Sequence, residues 1–139
     1  MELYGTWTLR RFWFTDDDGI EMDPLGDDPV GHLILGPDGF FAFTMMRAGR
    51  VPYESGDLLG GTEAEKCEAA DGYVSFGGTW KFTGEAILFE IVYSLFPNWV
   101  GGMQTRLTSI EDGELKLQTT GPILLAGKHH RGAARWKRA

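Results

Sequence analysis

The sequence predicts an all-β protein, folded as an eight-stranded antiparallel up-and-down barrel with one short helix and two long loops. Turn signals recur at short, regular intervals, and apolar or alternating runs flank most of them. No crossover helix separates consecutive strands, and sequential hairpins favour antiparallel neighbours. We therefore expect a single domain over residues 1–139, without an internal repeat.

The predicted strands lie between turn signals. Gly36-Pro37-Asp38-Gly39 stands between two apolar runs and is a strong hairpin signal; Glu111-Asp112-Gly113-Glu114 is another. Eight is the number of strands in a small closed barrel. The predicted strands are Thr6–Phe14, His32–Leu35, Phe40–Met46, Gly78–Phe82, Ala86–Ser94, Met103–Ile110, Glu114–Thr119 and His129–Lys137.

One helix is predicted over Thr62–Ala70. Thr62 and Glu65 form a capping box, in which the hydroxyl accepts from a first-turn N–H and the carboxylate reaches back. Two connections, Thr15–Val30 and Arg47–Gly61, exceed the length of a hairpin loop. Connections of this length in a small domain are often lids or binding loops.

Composition and charge exclude several classes of protein. Hydrophobic residues make up 42% and aromatic residues 13% of the chain, enough to fill a core, so disorder is excluded. A net charge of −7 argues against nucleic-acid binding as the main function. The single cysteine, Cys67, allows no intrachain disulfide. Without a signal peptide or long apolar run, we expect a soluble cytoplasmic protein, monomeric or homodimeric, with no membrane partner.

Alternation predicts which side chains face the barrel interior. On the last strand one face is strongly basic, so Trp136 and His130 should point inward. On the fifth predicted strand the more aromatic face carries Phe89 and Tyr93, which leaves Glu90 outside. The alternative is that Glu90 lies inside with a cationic partner, because a lone buried carboxylate is very unfavourable.

Two strands have no purely apolar face. On Met103–Ile110, Gln104 and Arg106 alternate with less polar residues, as in a barrel with a partly polar interior. The first strand is equally open in its orientation. One of its faces carries Trp7, Leu9, Arg11 and Trp13, and the other carries Arg10, Phe12 and Phe14.

The stretch Ser94–Gly101 combines large apolar residues with a proline. A strand cannot continue through Pro97, which lacks an N–H and has a fixed φ, so the chain must turn there. The turn keeps Leu95, Phe96 and Trp99, whereas a turn exposed to water is normally polar. This segment should therefore fold back over the end of a core or the mouth of a cavity.

Several motifs follow one another in a characteristic order along nearly the whole chain. They are Gly5-Thr6-Trp7, Pro24-Leu25-Gly26, Pro29-Val30-Gly31-His32-Leu33-Ile34, Pro37-Asp38-Gly39, Gly56-Asp57-Leu58-Leu59, the Thr62–Ala70 helix, Ser94–Gly101 and Arg135-Trp136-Lys137-Arg138. In this order they resemble the bacterial and fungal lipocalin-like domain family. The resemblance implies an eight-stranded barrel with a central cavity, in which Arg138 stacks on the Trp7 indole. It implies no single activity, although some similar barrels act as cyclases or isomerases.

The sequence predicts no metal or cofactor site. His129 and His130 are adjacent on a strand and point opposite ways, and His32 is remote in sequence. Arg106 and Gln104 are instead the best polar anchors for a ligand in the cavity. They could bind a carbonyl, enolate or carboxylate and stabilise negative charge; alternatively, Arg106 is buried and paired with Glu90.

Further candidates follow from side-chain chemistry. Tyr93 could donate to a ligand oxygen or fill the core, and His130 and His32 could exchange protons near neutral pH. Phe96 and Trp99 could gate the mouth or plug one end. The candidate catalytic residues are Arg106, Tyr93, Glu90 and His130, and the candidate ligand-binding residues are Gln104, Phe89, Phe96, Trp99, His32 and Trp136.

Three functions are compatible with these residues. The leading hypothesis is a cofactor-independent cyclase or isomerase, which orients an apolar secondary metabolite in the cavity and polarises one group. The alternative is a non-catalytic carrier of an apolar small ligand. The third is an interaction module whose aromatic residues fill the barrel completely.

Overall fold

Ten antiparallel strands form one continuous sheet in the computed structural model, which describes residues 2–139. One α-helix, α1 (Glu63–Asp71), and a short 3-10 turn, Pro97–Trp99, complete the described elements. The strands are β1 (Gly5–Asp16), β2 (Glu21–Met22), β3 (Val30–Leu35), β4 (Phe40–Met46), β5 (Tyr73–Phe82), β6 (Ala86–Ser94), β7 (Met103–Glu111), β8 (Glu114–Thr119), β9 (Ile123–Leu125) and β10 (Lys128–Arg138).

The sheet closes into a barrel because β1 pairs with both β3 and β10. The ring contains the eight long strands, whereas β2 pairs only with β1 and β9 only with β10. The predicted all-β class and eight-stranded antiparallel barrel are confirmed. The two short strands were not predicted, and β5 begins at Tyr73 rather than at Gly78.

A β-bulge changes the orientation of β1 part-way along the strand. The register with β10 shifts between Leu9 and Arg11, so Arg10 is an extra residue. Before the bulge Trp7 is buried in the core, and after it Phe14 faces the interior. Each face of the first strand therefore points inward over part of its length.

A second bulge lies where β6 leaves β5. Gly77 pairs with Tyr93 and Gly78 pairs with Ile91, so Val92 is the extra residue. Ile91 is buried, but Tyr93 is 55% exposed on the outer surface. The expectation that Tyr93 faces inward is wrong, because alternation counted along β6 does not include the added residue.

One end of the barrel is closed by contacts between the two ends of the described chain. The Arg138 guanidinium stacks on the Trp7 indole, as the family resemblance implied. Its Nη1 donates to the Tyr4 carbonyl and its Nη2 to the Glu2 carbonyl. The Trp7 Nε1 donates to the buried Leu3 carbonyl, 2.8 Å away. These hydrogen bonds satisfy the polar groups of a plug that is otherwise apolar.

Aromatic rings fill the middle of the barrel. Phe43 and Phe76 stack with their centroids 4.4 Å apart, and Phe41 and Phe89 lie 4.5 Å apart. Trp136 meets Phe43 edge-on and is fully buried, as predicted for its strand face. These rings form a solid aromatic core in the middle of the barrel.

Helix α1 begins at the predicted capping box. Thr62 Oγ1 accepts from the Glu65 amide at 3.1 Å, and Glu65 Oε1 accepts from the Thr62 amide at 2.9 Å. The helix leads directly into β5, with Gly72 as the C-cap residue. This connection brings the last turn of α1 to the end of the barrel opposite Trp7.

Candidate functional site

The end of the barrel opposite the Arg138–Trp7 stack contains a cavity of about 470 Å³. Most of its lining is apolar and comes from β1, β4, β5, β8, β9, β10 and the loops at this end. Its polar lining side chains are Asp71, Tyr73, Ser75, Ser94 and Arg106. The barrel is therefore not completely filled with side chains, and the open space is a largely apolar pocket with few polar groups.

The first long loop covers part of the cavity mouth. Leu25 is 2% exposed and lines the cavity together with Pro24. Two contacts tether the loop: Arg11 Nε donates to Asp23 Oδ1 at 3.0 Å, and Arg47 Nη2 donates to the Pro24 carbonyl at 2.9 Å. This hydrogen bond to Asp23 raises the pKa of Arg11. The second long loop, Arg47–Gly61, contributes no side chain to the lining of this cavity.

The segment after β6 folds back over the same mouth. Leu95, Phe96, Pro97 and Trp99 line the cavity. Trp99 meets Phe76 edge-on with centroids 5.3 Å apart, and Phe96 meets Trp99 at 5.4 Å. Of the two sequence-based interpretations of this turn, the structure supports the one in which it borders a cavity.

Arg106 is the buried charge of the site, with only 8% of its surface exposed. Its Nη1 donates to Gln104 Oε1 at 2.8 Å and, at 3.4 Å, to the Thr105 carbonyl. Burial lowers the pKa of Arg106 to about 10, so the guanidinium remains protonated at neutral pH. The alternative pairing with Glu90 is wrong: Glu90 is exposed on the outer face, where it accepts from Thr79 Oγ1.

Ser94 is a polar lining residue outside the predicted set. Its Oγ is buried and has no hydrogen-bond partner among residues 2–139. The bulge at Val92 reverses the alternation, which turns Tyr93 outward and brings Ser94 to the cavity. The glycine pair Gly77-Gly78 in β5 is the sequence signal for this, because glycine inside a strand often marks a bulge.

The structure brings together only part of the predicted site. Of the four candidate catalytic residues, Arg106 lines the cavity, whereas Tyr93 and Glu90 lie outside the barrel. His130 is 6% exposed; its Nδ1 lies 2.9 Å from the Lys128 carbonyl and its ring packs against Phe14, outside the lining.

The candidate ligand-binding residues divide in the same way. Phe96 and Trp99 line the cavity, and Gln104 holds the guanidinium of Arg106. The remaining three have other environments: Phe89 and Trp136 are fully buried in the solid core, and His32 is exposed on β3.

Within residues 2–139 no three His, Cys, Asp or Glu side chains are grouped as metal ligands would be. In the same part of the chain, the helix is too short to cross a membrane.

The profile described as lipocalin-like domain matches residues 4–139. The chain belongs to the lipocalin-like domain family. One relative of this lipocalin-like protein is the 4'-hydroxy-3'-methoxypropiophenone carrier protein ppsC of Aspergillus oryzae (strain ATCC 42149 / RIB 40). The two are 28% identical over 102 residues, which cover 68% of this chain and 92% of the relative.

A solved structure also aligns with the lipocalin-like barrel along its length. It is the crystal structure of a lipocalin-like protein from Bacteroides uniformis ATCC 8492, with a TM-score of 0.48 and 16% identity. The alignment covers 99% of this chain and 98% of that one.

The site geometry defines what chemistry is available. The apolar walls can remove a greasy molecule from water, and the Arg106 guanidinium can donate to one oxygen of that molecule. Ser94 offers a hydroxyl that can donate or accept. Asp71, at the end of α1, is an acidic side chain in the lining and is exposed to solvent.

Proposed function

We propose that this lipocalin-like protein binds an apolar small molecule in its cavity and carries it without chemical change. The observation that carries the proposal is a largely apolar cavity of about 470 Å³ with one buried cation, Arg106. Small-molecule sites have volumes of about 300–1,000 Å³, with mostly apolar walls and a few polar groups that orient the ligand. The cavity has both properties.

The relative in Aspergillus oryzae supports the carrier role. Its name describes it as the carrier of an aryl ketone, an aromatic ring that bears a carbonyl group. In this chain, Phe12, Phe14, Phe96 and Trp99 provide aromatic walls, and Arg106 provides an N–H donor. An aromatic molecule with one oxygen acceptor therefore matches the chemistry of the cavity.

A second candidate is cofactor-independent cyclisation or isomerisation of a bound metabolite. It is favoured by Arg106, because a buried cation can stabilise an oxyanion that develops during the reaction. Such a reaction also needs a positioned acid or base. His130, Tyr93 and Glu90 do not line the cavity, and Asp71, which does, is exposed to solvent at the end of α1; this favours a carrier over a catalyst.

A cavity-filling variant tests the binding step. The neutral probe N-phenyl-1-naphthylamine should bind the wild-type protein at one saturable site, followed by its fluorescence. Ala134→Leu, which adds volume at a buried lining residue, should weaken this binding at least tenfold. Ala42→Leu, on the other face of β4 from the lining residues Phe43 and Met45, is the matched control. Equal affinity of both variants would contradict binding in the cavity.

Carrying and catalysis are separated by the fate of the ligand. Native mass spectrometry of the freshly purified protein should show a co-purified small molecule. After prolonged incubation with the protein, the molecule should still have the mass and chromatographic retention that it has when extracted from the freshly purified protein. A product of the same mass with a different retention time would support cyclisation or isomerisation and contradict the carrier role.

A further inference from the structure

We propose that the ligand is an apolar organic anion whose single charged oxygen group, a carboxylate or a phenolate, pairs with Arg106 inside the cavity. This inference rests on the proposed function, since it specifies the chemistry of the molecule that the cavity binds. It goes further by assigning the ligand a charge, where an uncharged ketone or hydrocarbon would satisfy the carrier proposal equally well.

Arg106 carries a positive charge inside the cavity. The side chain is buried, yet its pKa is lowered only to about 10, so it enters the cavity as a cation at neutral pH. A buried charge is unfavourable unless an opposite charge and hydrogen bonds compensate it. The free protein thus keeps a cation in a largely apolar pocket, and an anionic ligand would compensate this charge.

The groups that accept hydrogen bonds from the Arg106 guanidinium are neutral. Within residues 2–139, no carboxylate oxygen lies within 4.0 Å of Arg106. Its hydrogen bonds run from Nη1 to two neutral oxygens, those of Gln104 and Thr105. Its Nε and Nη2 donate to no group in this part of the chain. A guanidinium has five N–H donors, and its fork matches the two oxygens of a carboxylate.

The other charged groups at the cavity do not supply the missing anion. Asp71 is the acidic residue of the lining, and it is exposed at the end of α1 beyond ion-pair distance of Arg106. Among the lining residues described, Arg106 is the one with a cationic side chain. The interior therefore has an uncompensated positive charge, which selects an anion over a neutral molecule of the same shape.

The remaining lining matches the apolar part of such an anion. The lining also contains Leu25, Phe96 and Leu124, all apolar. Ser94 Oγ provides one further hydrogen-bonding group in the lining. A molecule with one acidic group and a greasy body would place its charge on Arg106 and its body against these walls.

The test compares two competitors of the same chain length, decanoate with an anionic head group and decanol with a neutral one, in displacing N-phenyl-1-naphthylamine. In the wild-type protein at pH 7.5, decanoate should displace the probe at lower concentration than decanol. Arg106→Met should lower the apparent affinity for decanoate at least about 30-fold, because removing one partner of a buried charge pair commonly has an effect of this size. It should change the apparent affinity of decanol less than threefold.

Matched variants control for charge and folding. Arg131→Met removes an exposed arginine of β10 and should leave both competitors unchanged. Arg106→Lys keeps the charge and should still bind decanoate more tightly than decanol. If Arg106→Met does not fold, loss of this preference in a folded Arg106→Lys would contradict the pairing with a cation. Circular dichroism establishes which variants are folded.

The outcomes distinguish this inference from the proposed function. If the wild-type protein binds the probe but decanoate and decanol displace it equally, the ligand is not selected as an anion and the inference fails alone. If Arg106→Met is folded and retains the preference for decanoate, the inference fails as well. If the wild-type protein binds no probe, cavity binding itself is contradicted.

Discussion

The guanidinium carbon of Arg138 lies 4.2 Å from the centroid of the Trp7 indole, and this stack closes the barrel end remote from the cavity. Arg138→Ala should lower the free energy of unfolding by about 1 kcal/mol, because a cation on a buried indole face contributes about that much. Lys137→Ala, which changes the neighbouring exposed residue, should have little effect. Urea titration measures both. Equal stability of the two variants would contradict a stabilising stack.

Leu25 should control access to the cavity. Leu25→Ala removes buried apolar contacts and should lower stability by about 2 kcal/mol, the lower range for such changes because a loop can relax. It should also accelerate dissociation of N-phenyl-1-naphthylamine in stopped-flow experiments. Ile20→Ala, in the same loop but exposed, should change neither quantity. Unchanged dissociation from Leu25→Ala would show that this side chain does not cover the mouth.

A side chain at Gly78 should lower the free energy of unfolding. A Cβ at this position would overlap the backbone carbonyl oxygen of Glu90 on β6, where neither strand can move easily. Gly78→Ala should therefore lower stability by about 1–3 kcal/mol, as overpacking does in other interiors. At Gly121 a Cβ would meet no atom within 4 Å, so Gly121→Ala should be close to neutral. Thermal unfolding compares the two, and equal melting temperatures would contradict the close approach of β5 and β6.

The capping box should make the start of α1 sensitive to acid. Hydrogen bonds from the backbone amides of Thr62 and Glu54 lower the pKa of Glu65 below its ordinary value of 4.5. The folded form thus binds a proton less readily than the unfolded form. The stabilisation is complete above pH 4.5 and is lost as the pH falls through the folded-state pKa.

Amide hydrogen exchange at Thr62 and Glu54 between pH 6 and pH 3 measures this loss. The protection of both amides should fall on acidification in the wild-type protein. Glu65→Gln should show a flatter pH dependence, because the amide does not titrate. Glu63→Gln, whose carboxylate makes no hydrogen bond in the described chain, should behave like the wild type. An unchanged profile in Glu65→Gln would contradict the assignment.

The barrel could be predicted from sequence because its signals are local. Hairpin turns such as Gly36-Pro37-Asp38-Gly39 and the Thr62–Glu65 capping box depend on residues a few positions apart. The inward orientation of Trp136 followed from simple alternation on a strand that has no bulge there. Arg106 was predicted as a polar anchor in the cavity although neither face of its strand is purely apolar. The apolar turn after Ser94 predicted a segment that folds back over the end of a core or the mouth of a cavity, and in the structure it lines the cavity.

The errors in the site arose where alternation was interrupted. A single extra residue at Val92 exchanged the faces of Tyr93 and Ser94. On β1, the extra residue Arg10 reversed the alternation of the residues that follow it. A periodic pattern cannot show such an insertion unless a nearby signal, here Gly77-Gly78, is interpreted with it.

Other features depended on contacts between distant segments. The insertion of Leu25 under the mouth depends on Arg47, which donates to the carbonyl of Pro24. The lack of a carboxylate beside Arg106 depends on where every other strand places its acidic residues. Neither is encoded in neighbouring positions, so neither could be predicted from the sequence alone.

The seam between β1 and β10 has a consequence for how fast the chain reaches this structure. The hydrogen bond from Arg138 to Tyr4 joins positions 134 apart, and the whole β1–β10 ladder has similarly large separations. Bringing such remote strands together lowers the entropy of the chain before any hydrogen bond between them forms. Proteins rich in contacts of this kind therefore fold slowly. Refolding should therefore be slow for a chain of this length, and the pairing of β1 with β10 should form late in folding.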